Sequence, residues 1–168
     1  MTLNGSTYLK TTTASVDTSQ SYSVSVWAKI SNLNGYQTLV TQNANTRGAY
    51  YLQYSQAFNA WTFVSPSTDN ISPTAYHTAH ATAPPQTGQW THLVATYDAA
   101  THAMTLYVNG QFAHGTNPTP WNAASPTTIG ANATTQYPVD NKTTGAVSDV
   151  RTFPYALTPA QITALYTS

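Results

Sequence analysis

The chain has 168 residues, of which 40% are apolar and only 6% charged, with five Lys/Arg against five acidic side chains. That length can bury one sizeable core, but Lys10, Lys29, Arg47, Lys142 and Arg151 are too scattered to form the basic cluster that nucleic acid or an anionic membrane requires. Cysteine and glutamate are both absent. The first absence excludes disulfides, a thiolate nucleophile and Cys-ligated zinc. The second leaves only Asp17, Asp69, Asp98, Asp140 and Asp149 to build the carboxylate pair of a glycosidase, which argues against hydrolysis.

No apolar run approaches the roughly 18 residues that span a bilayer, and the N-terminal residues lack the charged and apolar regions of a signal peptide. The expectation is either an intracellular protein or a module of a longer secreted one.

In chain order, residues 3–9 alternate around Asn4-Gly5 and read as a first strand or a tight turn leading into one. A polar stretch, 11–20, reads as an exposed connection. Residues 22–30, Y-S-V-S-V-W-A-K-I, give the clearest strand: Tyr22, Val24, Val26, Ala28 and Ile30 share one face, and Trp27 stands among polar residues on the other. Such a Trp is either covered by another segment or faces a groove. Residues 36–41 form a short strand that ends in a polar loop, 42–48. Strands over 49–54 and 60–64 follow as antiparallel neighbours. The Pro- and Thr-rich stretch 65–89 allows a strand near 75–81, confined to a sheet edge by its prolines.

Residues 90–115 form the centre of the pattern. Period-two alternation over 93–97 and 104–108 predicts two strands, and Asn109-Gly110 predicts a type I′ turn into a third strand from Gln111. One face of this meander, Leu93, Ala95, Tyr97, Met104, Leu106 and Val108, requires a second sheet against it. Trp90 and Tyr107 read as core. Beyond a Pro-rich loop that holds Trp121 come a short strand at 127–131 and a long one at 145–153. Thr158, Pro159 and Gln161 then form a capping box that opens the single expected helix.

The pair formed by W-T-H-L-V-A-T-Y-D…M-T-L-Y-V-N-G at 90–110 and G-A-V-S-D-V-R-T-F-P-Y-A-L-T-P-A-Q-I at 145–162 resembles the laminin G-like, or concanavalin A-like, jelly-roll family, and the strand with Trp27 is similar to that family's second strand. The resemblance covers residues 3–168. It implies an all-β fold, a two-sheet antiparallel jelly-roll β-sandwich with one short C-terminal helix, as a single domain over 1–168. It also implies a possible structural calcium ion, for which Asp149 of the last strand and Asn4 near the first would supply the side-chain oxygens. Asn4-Gly5 stands where relatives commonly carry Asp-Gly, so such a site would lean on carbonyls and water. Otherwise Asp149 pairs with Arg151 or Lys10.

Five histidines give no metal motif, because His77 and His80, three apart on extended chain, point to opposite sides. No nucleophile elbow marks a Ser-His-Asp triad. Aromatics are the more informative feature, since sugar rings stack their C–H faces on exposed Trp and Tyr. Trp121, in a loop with no strand to bury it, is the leading ligand platform, followed by Tyr51, Trp61 and Tyr76. The reading is a non-catalytic extracellular module that binds carbohydrate or a cell-surface protein, neither nucleic acid nor membrane, and is joined to other domains of a parent chain. An adhesion or spacer role is the alternative, and a glycoside hydrolase the more distant one.

Overall fold

The computed structural model describes residues 1–167. Its strands are β1 (Thr2–Asn4), β2 (Leu9–Lys10), β3 (Tyr22–Ile30), β4 (Gln37–Asn43), β5 (Gly48–Ser55), β6 (Ala60–Pro66), β7 (Tyr76–His80), β8 (Thr91–Asp98), β9 (Ala103–Val108), β10 (Gln111–Thr116), β11 (Thr127–Ile129) and β12 (Thr144–Phe153), followed by helix α1 (Pro159–Thr167). They form two six-stranded sheets, ordered β1-β12-β3-β8-β9-β10 and β2-β11-β4-β5-β6-β7. Every pairing is antiparallel. This is the jelly-roll sandwich expected.

The alternation in β3 decides how the layers meet. Val24, Val26, Ala28 and Ile30 point inward beside Leu93, Ala95, Tyr97, Met104 and Leu106, and meet Val40, Tyr50, Leu52, Tyr54, Trp61, Phe63 and Ala79 of the second sheet. Each fully buried aliphatic or Phe side chain contributes about 1.5–3 kcal/mol. Asn109 and Gly110, at φ +48 and +81, form the predicted turn and place Gln111 opposite Val108. The edge strands β7 and β10 also approach closely, since a Cβ on Gly115 would lie 2.4 Å from the carbonyl oxygen of Thr78.

Three expectations are corrected. Residues 3–9 are split between the sheets, β1 pairing with β12 and β2 with β11. The segment read as a loop from residue 42 is strand through Asn43, because the Gln42 and Asn43 amides find buried partners there. Trp90 does not join the core: it is 44% exposed. It precedes Thr91, the first residue of β8 to pair with β3, so the strand alternation does not reach it.

Helix α1 is capped as predicted, the Thr158 N–H donating to Gln161 Oε1 at 2.8 Å. Ile162 of the helix and Leu157 ahead of it pack on Val94 of the first sheet, with Tyr107 and Phe153 alongside. Tyr107 therefore belongs to this outer layer and not to the inter-sheet core. The helix also covers Trp27, which stacks with Tyr166 at 5.9 Å and meets the His92 ring at a tilt at 5.0 Å. Ser25 Oγ lies 3.0 Å from His92 Nε2, and both residues are buried, so this pair serves packing.

Burial holds the His92 imidazole below its ordinary pKa; Asp149 opposes that shift and Arg151 adds to it. The unfolded chain therefore binds the proton more readily than the folded one. His92's contribution to stability is complete above the unfolded pKa of about 6.5 and is lost as pH falls below it. His77 shifts in the same direction through burial. Thermal melts from pH 7.5 to 5 are accordingly expected to show Tm falling with acid, and His92→Phe is expected to flatten part of that slope. An unchanged slope in the variant would refute the assignment to His92.

Candidate functional site

The outer face of the second sheet carries polar side chains in register: Thr41 beside Tyr51, Val64 and Thr78, and Thr38 beside Gln53, Thr62 and His80. Loops wall this face, so that Thr38, Thr41 and Thr62 are fully buried and Tyr51 and Gln53 nearly so. What stays open is a groove of about 480 Å³ floored by Tyr51, Gln53, Ser55 and Thr78. Tyr36, Phe58 and Tyr76 line it with 42%, 49% and 51% of their surfaces exposed. Phe58 is fixed by stacking on His80 at 4.5 Å. No carboxylate lines the groove among the described residues.

The wall formed by the β4–β5 and β6–β7 loops is latched from both sides. The Asp69 carboxylate accepts the N–H groups of Asn45, Thr46 and Arg47 at 3.1, 2.8 and 2.8 Å. In return the Arg47 guanidinium donates to the carbonyls of Asn70 and Ile71. This holds a cation at the rim. On the far wall Asn132 Nδ2 donates to Asp140 Oδ1 at 2.8 Å, the two backbones pair, and the Asn141 carbonyl accepts the Thr38 N–H. Asn141 also lines the groove, and the buried Asn132 Oδ1 has no partner among the described residues.

Burial, above all, pushes the Tyr51 phenol up to about 12, with the nearby Tyr76 and Asp140 acting the same way against the Gly48 hydrogen bond and the Arg47 charge. The group stays protonated at any physiological pH. Its oxygen accepts the Gly48 N–H at 2.7 Å, and its own proton has no acceptor among the described residues, so Tyr51 can donate into the groove. The arrangement is chemically an amphipathic slot: ring faces for C–H surfaces, with amide, hydroxyl and guanidinium groups for oxygens.

The residues singled out in the sequence are divided by the fold. Tyr51 and Tyr76 meet in the groove. Trp61 is 2% exposed and sits in the inter-sheet core, edge-on to Tyr54. Trp121 is half-buried against Ala44, Ala49 and Ala123, its indole N–H donating to the Pro66 carbonyl at 2.8 Å. A ring tied down in this way is no free platform. Asn4 and Asp149 are not brought together: Asn4 pairs with Thr144 at the start of β12, and Asp149 lies at the bulge in that strand's middle. Asn4 Oδ1 already accepts the N–H groups of Ser6 and Thr7, and Asp149 pairs with Arg151 at 2.7 Å. The two do not fit one calcium ligand set, and no group of three or more His, Asp, Glu or Cys clusters among the described residues. Sequence reading missed Tyr36, Phe58 and Arg47: Tyr36, read as the first residue of a strand, precedes β4 instead, and Phe58 and Arg47 sit in connections where no periodicity marks them.

Two antiparallel sheets carrying a loop-walled groove on one outer face define a jelly-roll module of the lectin type. The chain belongs to the Concanavalin A-like lectin/glucanases superfamily, whose sequence pattern matches residues 3–163. Solved structures agree in fold. A heptameric SAP-like pentraxin from Limulus polyphemus is 14% identical, with 98% of this chain and 80% of that one covered at a TM-score of 0.76. Domain 4 of an extracellular GH43 arabinanase from Geobacillus stearothermophilus, solved with arabinotriose, is 24% identical over 98% of this chain and 75% of that one, at 0.66. The CBM40 of a Ruminococcus gnavus IT-sialidase, bound to α2,3 sialyllactose, is 12% identical over 95% of each chain, at 0.69. No curated protein sequence matches the chain.

Proposed function

We propose that this protein is a non-catalytic carbohydrate-binding module and that its ligand lies in the groove on the second sheet. The observation that carries the reading is the set of three exposed rings, Tyr36, Phe58 and Tyr76, around a polar floor that holds no carboxylate. Rings in this setting stack on sugar C–H faces, while Gln53, Asn141 and the Tyr51 hydroxyl meet sugar oxygens. The missing carboxylates favour holding a glycan over cleaving it, because hydrolysis needs two flanking the bond. Two structural neighbours are modules of enzymes, one of them an extracellular arabinanase, which supports a secreted parent chain here too.

The test is affinity electrophoresis and titration against arabinotriose, sialyllactose and plant and microbial polysaccharides. At least one is expected to be retained, and Tyr76→Ala is expected to weaken that binding about two- to tenfold, since a ring contact contributes ~0.5–1.5 kcal/mol. Tyr76 is half exposed, so the variant should keep the wild-type Tm. Retention of no polysaccharide at all, or full affinity in Tyr76→Ala, would overturn the reading. A protein partner captured equally well by wild type and variant would instead favour an adhesion module.

A further inference from the structure

A second cleft, of about 550 Å³, lies on another part of the molecule, where the 81–90 segment crosses from the second sheet to the first. Its floor comes from the inter-sheet space, with Trp61, Leu106 and Val108. Its mouth carries the two exposed rings Trp90 and Phe112, at 44% and 63%. Both are held in place. Lys29 Nζ sits 5.2 Å from the centroid of Trp90 over one face of its ring, and the Gly88 N–H donates to the Ile30 carbonyl at 2.8 Å, pinning the crossover to β3. Phe112 packs against Tyr107 and His114.

Beside the two exposed rings, two features point to the occupant. Among the described residues no charged side chain lines the cleft, Lys29 standing over Trp90 at its mouth and not in the lining, so a charged group inside would surrender its hydration without a partner. The side-chain amides of Gln86, Gln89 and Gln111 and the indole N–H of the buried Trp61 make no hydrogen bond among the described residues. A pure hydrocarbon would cover these groups and leave them unsatisfied. A neutral sugar presents a C–H face to the rings and oxygens to the amides and the indole. We propose that this cleft is a second saccharide site, taking a neutral ring stacked on Trp90 with the Trp61 indole N–H donating to one of its oxygens. This goes beyond the groove reading, and two sites on one module would raise its hold on a polymer through avidity.

The experiment uses the full chain labelled with ¹⁵N, whose four tryptophans each give an indole N–H signal. Arabinotriose, xylotriose, cellotriose and, as the charged comparison, sialyllactose are each titrated to about 20 mM, enough to populate a site with a millimolar Kd. At least one neutral trisaccharide is expected to move the Trp61 and Trp90 signals, and Trp90→Ala or Phe112→Ala to weaken that response about tenfold, while backbone shifts around Tyr76 and Gln53 keep their wild-type midpoint. Sialyllactose is expected to leave the Trp61 signal in place. Trp61 and Trp90 signals that no neutral trisaccharide moves, or that respond unchanged in Trp90→Ala, overturn the second site. Shifts confined to the groove sink this site alone, and groove residues silent toward every sugar sink the function proposed for the groove.

Discussion

Gly145→Ala is expected to lower stability by about 2–6 kcal/mol. Gly145 adopts φ +148, and a Cβ there would stand 2.0 Å from the Lys29 carbonyl oxygen and 2.8 Å from the Ile30 Cα. The residue faces backbone on both sides, paired to Ile30 of β3 and to Leu3 of β1, so neither neighbour can withdraw without breaking its own ladder. Backbone strain and overpacking each cost about 1–3 kcal/mol, and here they act together against a total stability of about 5–15 kcal/mol. Urea melts of Gly145→Ala beside Gly35→Ala provide the check. Gly35 also has positive φ but nothing within 4 Å of a built Cβ, so it isolates the strain from the clash. Equal midpoints for the two variants would refute the clash argument.

Gln42→Leu is expected to be nearly as damaging although it exchanges one buried side chain for another of similar size. Gln42 Oε1 accepts the N–H groups of Ser15 and Val16 at 2.9 and 3.1 Å and the Thr127 hydroxyl at 3.2 Å. Its amide nitrogen, Nε2, donates to the Val16 and Ala123 carbonyls at 2.7 and 2.6 Å. One fully buried amide thus ties the 11–20 connection and the Trp121 loop to β4. Leucine would strand these backbone groups away from water at about 1–3 kcal/mol each, less whatever the loops recover by swinging out to solvent. A loss of about 3 kcal/mol or more by urea denaturation is the expected result, with hydrogen exchange accelerated first at Val16 and Ala123. A loss below about 1 kcal/mol would show that the loops are held by something else.

The strands, the two-sheet arrangement and the capped helix were legible because each rests on local rules: alternation in 22–30, Asn109-Gly110 at a turn, Thr158-Pro159-x-Gln161 at a helix start. The site was legible only in part, and the tryptophans show why. Alternation identifies which residues share a sheet face without saying whether loops close over it, and here loop walls enclose Thr41 and Gln53. Trp121 looked free in its loop because nothing in the sequence signals that Ala44, Ala49 and Ala123 form a socket beside the Pro66 carbonyl. Tyr51 and Tyr76 could be found because they lie on strands; Tyr36 and Phe58 reach the same groove from connections, where side-chain direction follows only from the finished fold.

The close approach of β7 to β10 has a bearing on how such a module behaves beside copies of itself. Those two margins pack on one another at Gly115 and Thr78 without sharing a ladder, and the opposite margins end in β1 and β2 of only three and two residues, which leaves little straight edge for a neighbouring chain to extend. Short, packed margins of this kind limit strand-to-strand joining between copies, in a chain with almost no charge to keep copies apart.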